Sequence, residues 1–446
     1  MEAFEVMTSE SQERMLAIVE PSSLDTVLEI CKRWEVTAAM IGRVTEGGSL
    51  RILDGFDGEV LADIPASSLH DAAPMYDRPM AEPADLATFR ANSANDAPAP
   101  DDVAADLGAM LADPSWVSSQ YDHQLFLNTV VGPGGDATVL RLKHPTTGAD
   151  TGRGLAMTTD GNHRWCAVDP RIGTARVVVE SLMNLACVGA RPVALVNCLN
   201  FGNPEHPEVM WQLSEAIDGM GDACRALGIP VIGGNVSLYN ESRGANIDPS
   251  PVIGLLGQVD DLARRPPGLA WNDGDRLVVL GASDPSLDGS RWAFDHGHRS
   301  GSLDPIDYEA VVAIAALVRY LVADDLLTAA HDLGEGGLGV AVAEMAIASG
   351  VGATVARVPD HRALFGEAAG RVIVSASADD LATVVERAEA AGVPAARVGL
   401  ATGSKISIKG LLDADLADLA ATWRNRLPDA LGGGTVQGLA EGSGTA

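Results

Sequence analysis

The chain has 446 residues, which is too long for one ordinary domain, so two or three are expected. Its formal net charge of -30 argues against nucleic acid as a partner, but not against a small phosphorylated ligand held through divalent metal. No apolar run reaches the ~20 residues of a membrane span. Five scattered cysteines and an acidic start without a signal-peptide pattern predict a cytoplasmic protein with reduced thiols.

The first element lies in residues 1–79, where "TSESQERM" precedes the apolar run "MLAIVE". We expect a strand at residues 14–19, then a helix, and then a strand at "SLRIL". Glu10, Ser11 and Gln12 stand at the entrance of the first strand. Three polar side chains there form either a simple turn or part of a ligand site.

The next segment, residues 80–112, is rich in Ala, Pro, Asp and Asn, which is typical of a linker or an extended surface segment. Residues 113–262 then alternate strands and helices and are predicted to form one domain. Within it, "PVALVNCLN" predicts a strand and residues 206–228 predict a helix that starts at Pro207 and stops at Gly228. "IPVIGGNVSLYN" predicts a strand that runs into a Gly-Gly turn.

Residues 263–430 are predicted to form a second alternating domain, which begins with the strand "RLVVLGAS". In it, "LTAAHDLGEGGLGVAVAEMAIASG" predicts a strand, a glycine turn and a helix. The Gly-rich residues 431–446 are predicted to be a disordered tail. The mixture of strands and helices indicates an α/β and α+β fold class.

An internal repeat relates the two ends of the chain. Residues 14–42 align without gaps with residues 371–399 at a constant offset of 357, and both copies then continue into another strand. A long α/β segment precedes the second copy, whereas only thirteen residues precede the first. The chain is therefore expected to be one full unit plus the trailing end of another.

Several motifs have residue types suited to ligand binding, although each has a structural alternative. "IGGNVSLYN" supplies neutral oxygen and nitrogen groups behind two glycines, but it could be only a hairpin turn. "TTDGNHRW" is more typical of a turn. "AHDLGEGGLG" places His331 and Asp332 at a strand end before a helix N-terminus, where an anion or metal could bind. Walker, Rossmann, hydrolase and zinc patterns are not found.

Taken together, these motifs resemble a known family. "SESQERM", "NLACVGARPVALVNCLNFGNPEHPE", "IPVIGGNVSLYNE" and "HDLGEGGLGVAVAEMA" are similar to the small bacterial form of phosphoribosylformylglycinamidine synthase, over residues 1 to about 427. The resemblance implies the AIR-synthetase-like fold, in which an α/β sheet domain (A) pairs into a barrel-like dimer and is followed by an α+β domain (B). The family has two tandem units, which the internal repeat fits.

The resemblance also implies a reaction. The family enzyme uses ATP and Mg²⁺ to join ammonia to formylglycinamide ribonucleotide (FGAR) through an iminophosphate, in purine biosynthesis. A glutaminase subunit makes the ammonia, and a small bridging subunit joins the complex. Phosphoryl transfer of this kind depends on positioning and charge neutralisation more than on covalent chemistry by the protein.

Site residues follow from the resemblance, position by position. Substrate contacts are expected at Glu10, Ser11, Gln12 and Ser237, ATP contacts at Asn197 and Gly234, and Mg²⁺ contacts at Asn235 and Asp332. Many relatives carry Asp at the position of Asn197. Asp332 is the second-copy counterpart of a metal-binding aspartate in the first B domain.

The family's catalytic histidines belong to the first A domain, which this chain does not contain, so no catalytic residue is assigned here. His163, His206 and His331 are expected to have structural or capping roles. We expect the chain to act with a first A-B half from upstream sequence or another polypeptide. The alternatives are another enzyme of the superfamily, or a truncated scaffold that binds nucleotide or partner subunits.

The second repeat copy adds one further expectation. Glu10, Ser11 and Gln12 align with Glu367, Ala368 and Ala369. Both copies keep the Glu, which suggests a shared structural role, but only the first keeps side chains that can hydrogen-bond a ligand. "ESQ" is therefore predicted to be a substrate site retained in one copy and lost in the other.

Overall fold

The computed structural model describes residues 2–10, 12–282 and 284–432. The chain divides into two compact units, Met1–Asp77 and Arg78–Ala446. Among the described residues, no helix combines the length and apolar character needed to cross a membrane. Ser11 and most of the predicted tail, residues 433–446, lie outside the described residues.

The first unit is small and open. It contains α1 (Ala3–Thr8), α2 (Leu24–Arg33), β1 (Ser49–Leu53) and β2 (Val60–Pro65), with short 3-10 turns at Pro21–Ser23 and Ala66–Leu69. β1 and β2 form an antiparallel ribbon. None of its described residues is buried, although α2 carries an apolar face of Leu24, Val27, Leu28 and Cys31. A segment without a buried core lacks the main source of folding free energy.

The internal repeat is visible in the helices but not in the first strand. An offset of 357 carries the bounds of α2 onto those of a second-unit helix, Leu381–Ala390. The predicted strand at residues 14–19 is not formed in the first unit. Met15 and Leu16 are 95% and 76% exposed, whereas their counterparts Val372 and Ile373 are fully buried in a strand. The strand is not formed because a β-strand must hydrogen-bond to a neighbouring strand, and the described residues of the first unit provide no such strand at this position.

The second unit holds the remaining elements. Its strands are β3 (Thr129–Val131), β4 (Thr138–Lys143), β5 (Asp150–Gly161), β6 (Arg191–Asn200), β7 (Val231–Ser237), β8 (Glu241–Ser242), β9 (Ala245–Asn246), β10 (Ser250–Val259), β11 (Arg276–Leu280), β12 (Ala329–Asp332), β13 (Ala353–Val355), β14 (Val372–Ala376), β15 (Ala395–Ala401), β16 (Lys405–Ile408) and β17 (Leu412–Asp415). Its helices are α3 (Leu86–Ala91), α4 (Val103–Met110), α5 (Ser115–Ser119), α6 (His163–Val168), α7 (Pro170–Cys187), α8 (Pro207–Leu227), α9 (Arg291–Asp295), α10 (Tyr308–Ala323), α11 (Gly337–Ser349), α12 (His361–Phe365), α13 (Leu381–Ala390) and α14 (Leu416–Ala430).

The first large sheet has the strand order β3-β4-β5-β10-β6-β7. Only β6 and β7 are parallel, and α8 is the crossover that joins them. One face of the sheet packs on α7, which is buried on nearly all sides. Asp169 caps α7 by accepting hydrogen bonds from the backbone N–H groups of Arg171 and Ile172.

The second large sheet has the order β12-β14-β11-β15-β13-β16-β17. β14 lies between β11 and β12, and all five of its residues are buried. The sheets occupy residues 129–259 and 276–415, on either side of the predicted domain boundary at 262/263. Helices α7, α8 and α10 pack together, so both sheets belong to one compact unit.

Residues 80–112 differ from the extended linker predicted for them. They contain α3 and α4, and Leu107 and Leu111 of this segment are fully buried. They pack in the core beneath the second sheet, and Asp106 accepts a 2.7 Å hydrogen bond from Trp292 Nε1. α4 is only eight residues long and follows a stretch rich in Pro and Asp, so the composition of the segment hides a short, mostly apolar helix.

Replacing Leu107 with Ala tests this packing. Since the side chain is fully buried, we expect Leu107→Ala to lower the free energy of unfolding by about 2–5 kcal/mol. Urea denaturation of the full chain measures the change, with exposed Asp101→Ala as the control variant. A loss of stability no larger than that of the control would show that the segment does not pack on the core.

Candidate functional site

Four predicted site residues lie on the paired strands β6 and β7. The parallel register sets Asn197 beside Gly234, Cys198 beside Asn235, and Asn200 beside Ser237. Because side chains alternate along a strand, Asn235 and Ser237 share one face of the sheet. Asn197 is on the other face, where its Nδ2 lies 3.5 Å from Met220 Sδ of α8. The predicted nucleotide pair and the predicted metal and substrate pair therefore occupy opposite faces.

Gly234 allows the two strands to approach closely. A Cβ atom at this position would lie 2.2 Å from Asn197 Oδ1, which is far inside van der Waals contact. The predicted Gly-Gly turn is wrong, because Gly233 and Gly234 both lie inside β7. The glycine is needed here for close packing rather than for a turn. It leaves the Asn197 amide lying over the Gly234 backbone.

The face that carries Asn235 is open. Asn235 is exposed, and its Nδ2 lies 3.7 Å from Cys198 Sγ. Apolar side chains on the same sheet are also exposed: Met157 by 38%, Val193 by 37% and Val196 by 44%. A contiguous apolar face next to polar side chains is typical of a surface that another domain covers.

The other amides of the "NCLNFGNPEHPE" and "GGNVSLYN" blocks hold the loops in place. Asn200 Nδ2 donates to the Ser250 carbonyl at 3.1 Å, and Asn240 Nδ2 donates to the Phe201 and Ser237 carbonyls. Just after the second block, Asn246 Oδ1 accepts from the Asn203 backbone N–H at 2.8 Å. These contacts satisfy backbone groups at the strand ends, so these amides position the site.

Asp332 lies at the end of β12 in a separate acidic cluster. Asp136, His331 and Asp332 offer ligand atoms that all lie within 4.8 Å of one another. His331 Nδ1 is 2.6 Å from Asp136 Oδ1, and its Nε2 is 3.1 Å from Glu344 Oε2. Although burial opposes it, the carboxylate of Asp136 helps raise the pKa of His331 well above its ordinary value. His331 therefore serves as a counter-charge, in keeping with the structural role predicted for it.

More carboxylates surround Asp332 than His331 can neutralise. Burial, then repulsion by Asp332 and Asp160, raises the pKa of Glu180 well above its ordinary value. Burial also raises the pKa of Asp332 to about 8. Asp160 is held by Ser181 Oγ at 2.6 Å and by Asn184 Nδ2 at 2.8 Å. Such an oxygen-rich group suits a hard divalent cation, which would offset the buried negative charge.

Most of this cluster was not predicted from the sequence. The Asp160 motif was interpreted as a turn, and neither Asp136 nor Glu180 was among the candidates. Glu180 and Asn184 stand four residues apart in the largely buried α7, on one side of the helix. Polar residues at that spacing in a buried helix were the feature of the sequence that could have indicated the cluster. Gly334 lies against the cluster, because a Cβ there would be 2.4 Å from Glu180 Oε1 and 2.9 Å from Asp332 Oδ2.

The burial of the "ESQ" position differs between the two repeat copies. Glu367 is 1% exposed, and its carboxylate accepts hydrogen bonds from Trp165 Nε1 at 2.7 Å and from the Arg291 and Gly336 backbone N–H groups at 2.8 Å. In the first unit Glu10 and Gln12 are exposed, beside the end of α1, and Ser11 is outside the described residues. The structural role expected for the Glu is thus found in the second copy.

Comparison with protein families matches both parts of this architecture. The model of the AIR synthase related protein N-terminal domain matches residues 134–259. The model of the corresponding C-terminal domain matches twice, at residues 1–55 and 272–409. The two matches to one C-terminal domain model coincide with the internal repeat. The chain belongs to the AIR synthase related family.

Curated members of this family resemble nearly the whole chain. "Phosphoribosylformylglycinamidine synthase subunit PurL" from Moorella thermoacetica is 41% identical over 442 residues, which cover 96% of this chain and 59% of that protein. The protein of the same name from Thermomicrobium roseum is 42% identical over 443 residues, with the same two coverages. The chain thus spans about three fifths of the length of the curated relatives it matches.

A solved structure supports the fold. PurL from Thermotoga maritima, complexed with ATP, superposes with a TM-score of 0.60 at 24% sequence identity. The match covers 90% of this chain and 57% of the Thermotoga protein. The AIR-synthase-like fold predicted from the sequence is confirmed.

The acidic cluster predicts a pH-dependent effect of Mg²⁺ on stability. The pKa of Asp332 rises from about 4 in the unfolded chain to about 8 in the folded one. Its stabilising effect on the fold is therefore greatest below pH 4, where the carboxyl is protonated, and is lost as the pH rises towards 8. We expect Mg²⁺ at about 100 times its Kd to add roughly 2.7 kcal/mol at pH 8 and much less at pH 5.

Chemical denaturation with Mg²⁺ or with EDTA at each pH measures this effect. Asp332→Asn should remove most of the Mg²⁺ response, while exposed Asp379→Asn should keep it. Equal stabilisation of Asp332→Asn and the parent chain would place the metal elsewhere.

Proposed function

We propose that this chain is part of a phosphoribosylformylglycinamidine synthase, which amidates FGAR to the amidine with ATP, Mg²⁺ and ammonia. The observation that carries the proposal is the near 40% identity to PurL subunits over almost all of this chain. On the adjacent strands β6 and β7, the proposed nucleotide residues Asn197 and Gly234 and the proposed metal and substrate residues Asn235 and Ser237 occupy opposite faces of the sheet.

The proposed chemistry has two balanced steps. The amide oxygen of FGAR attacks the γ-phosphorus of ATP, ADP leaves, and the amide nitrogen loses its proton to give the iminophosphate. Ammonia then attacks the activated carbon, phosphate leaves with the former amide oxygen, and a proton is lost from nitrogen. Bound Mg²⁺ would neutralise phosphate charge, and this chain offers two separate candidate positions for it, at Asn235 and at the Asp332 cluster.

The proposed residue roles are those that the family resemblance implies. Asn197 and the Gly234 backbone are assigned to the nucleotide, and Ser237 is assigned to FGAR. Glu10, Ser11 and Gln12 are assigned to FGAR as the retained site of the first repeat copy. No catalytic residue is assigned, because the candidates implied by the resemblance belong to a first A domain.

We infer that a first A-B half completes the enzyme, supplied by upstream sequence or by another polypeptide. Two exposed apolar surfaces support this. Ile18 and Ile41 are 82% and 77% exposed, whereas their repeat counterparts Ser375 and Val398 are buried in β14 and β15. The Val196 face of the first sheet is open in the same way. Strands and a second sheet from the missing half would cover both surfaces.

A glutaminase and a small bridging subunit are the proposed partners. A solved assembly described as PurLQS from Thermotoga maritima, a 24% identical fold neighbour, contains PurL with other components. Burial raises the pKa of Cys166 to about 12 and that of Cys187 well above its usual value, so neither thiol is suited to the nucleophilic step of a glutaminase. A cytoplasmic location remains the prediction.

The function is tested by supplying the chain with a first A-B half, FGAR, ATP, Mg²⁺ and ammonium. We expect formation of the amidine together with ADP and phosphate, and no activity from the chain alone. Activity of the isolated chain would contradict its dependence on a first half. Nucleotide binding without amidine formation by the completed protein would favour the scaffold alternative.

The substrate assignment predicts the effect of two truncations. Ser237→Ala and Gln12→Ala should each raise the Kd for FGAR by up to about tenfold in the completed enzyme, because each removes one hydrogen-bonding group. Equilibrium binding measures the change, and exposed Ser242→Ala on β8 is the control. Unchanged affinity in both variants would reject the assignment.

The nucleotide assignment predicts that neighbouring glycines respond differently. Gly234→Ala must displace Asn197, so we expect weaker binding of a non-hydrolysable ATP analogue. Gly233→Ala is the matched control, because no atom lies within 4 Å of the added Cβ. Equal loss of affinity in the two variants would mean that strand flexibility, rather than the Asn197 contact, decides binding.

A further inference from the structure

The Glu that both repeat copies keep is held by three donors in the second copy. Glu367 Oε1 accepts hydrogen bonds from the Arg291 and Gly336 backbone N–H groups, each at 2.8 Å. Its Oε2 accepts from Trp165 Nε1 at 2.7 Å. The backbone of Glu367 also pairs with that of Ser286, with N···O distances of 2.9 and 3.1 Å. Since the residue is 1% exposed, its carboxylate serves the fold and does not face a ligand.

This anchoring fixes the two positions that follow the Glu. Ala368 is buried, and Ala369 packs against the core directly after it. The glycine turn whose N–H group donates to Glu367 comes directly after Asp332 of the acidic cluster. Burial is the main cause of the raised pKa of Glu180, and Asp332 and Glu367 are among the carboxylates that add to it. The anchor therefore lies near the candidate metal cluster of its own copy.

The first copy has the same Glu without these donors. Glu10 is exposed, and its carboxylate has no hydrogen-bond or ion-pair partner among the described residues. The repeat offset of 357 places the counterparts of Arg291 and Gly336 before residue 1, so this sequence does not contain them. The family model of the C-terminal domain likewise matches residues 272–409 in the second copy and only residues 1–55 in the first. The donors that Glu10 lacks therefore belong to the part of the domain outside this sequence.

We propose that Glu10 is a positioning residue, whose carboxylate accepts backbone N–H groups of a glycine turn in the first A-B half and thereby holds Ser11 and Gln12 against FGAR. The proposal rests on the proposed synthase function, in which that half completes the enzyme. Ser11 and Gln12 are then the direct FGAR contacts of the block, and Glu10 acts on the substrate only through them. A carboxylate suits this role, because its hydrogen bonds with backbone N–H groups are stronger than those of a neutral acceptor.

The anchor is tested first without substrate, by calorimetric titration of the 446-residue chain with a separately supplied first A-B half. We expect Glu10→Ala to raise the Kd for that half about tenfold, because it leaves backbone donors of the half without a charged acceptor. Glu46→Ala is the matched control, since Glu46 is also an exposed acid of the first unit, and it should leave the Kd unchanged.

A double-mutant cycle for FGAR binding then separates positioning from direct contact, with the first half in saturating excess. We expect Glu10→Ala to raise the Kd for FGAR about tenfold in the parent chain, and much less in the Ser11→Ala/Gln12→Ala background, where the contacts that it supports are gone. The Kd of a non-hydrolysable ATP analogue should stay unchanged in Glu10→Ala, which a general loss of folding would not allow.

Two results would overturn the proposal while the synthase function stands. Additive effects of Glu10→Ala and the Ser11→Ala/Gln12→Ala pair would show that Glu10 contacts FGAR itself. An unchanged Kd for the first half in Glu10→Ala would show that no donors of that half depend on the carboxylate. A completed parent enzyme that binds no FGAR would instead reject the synthase function, and the proposal with it.

Discussion

The buried carboxylate of Glu367 holds the second unit together at the place where its two sheets meet. One oxygen accepts from the indole of Trp165, beside the first sheet, and the other accepts from the backbone at Gly336, where α11 begins. Since β12 and Asp332 come directly before that turn, Glu367 fixes the acidic cluster relative to α7. A buried acceptor with three donors is costly to replace, because even Gln would set an N–H group against one of them.

The two repeat copies share this Glu but differ in the two residues that follow it. In the second copy the two residues after Glu367 are Ala368 and Ala369, which lie against the core. In the first copy they are Ser11 and Gln12, and Glu10 and Gln12 are exposed. The same position of the duplicated domain thus packs against the core in the second copy. In the proposed enzyme, it contacts the substrate in the first copy.

Much of the second unit could be predicted from local patterns. Pro207 and Gly228 bracket α8 closely, and the repeat offset relates the bounds of α2 to those of α13. These features depend on local caps and helical periodicity, which sequence reveals directly. The strand at residues 14–19 could not be judged in this way, because its existence depends on a neighbouring strand.

Long-range contacts explain the remaining differences. Gly234 looks like a turn residue in the sequence, and only the parallel strand beside it shows that it accommodates Asn197. The acidic cluster draws Asp136, Glu180 and Asp332 from distant segments, and the buried α4 depends on a core formed by later residues. None of these arrangements follows from spacing along the chain.

The central claim is that this chain helps ATP to activate the amide oxygen of FGAR. The most direct measurement uses FGAR labelled with ¹⁸O at that amide, turned over by the chain together with a first A-B half, ATP, Mg²⁺ and ammonium. The account predicts that the released inorganic phosphate carries the label, as detected by mass spectrometry. Amidine formation with unlabelled phosphate would contradict it.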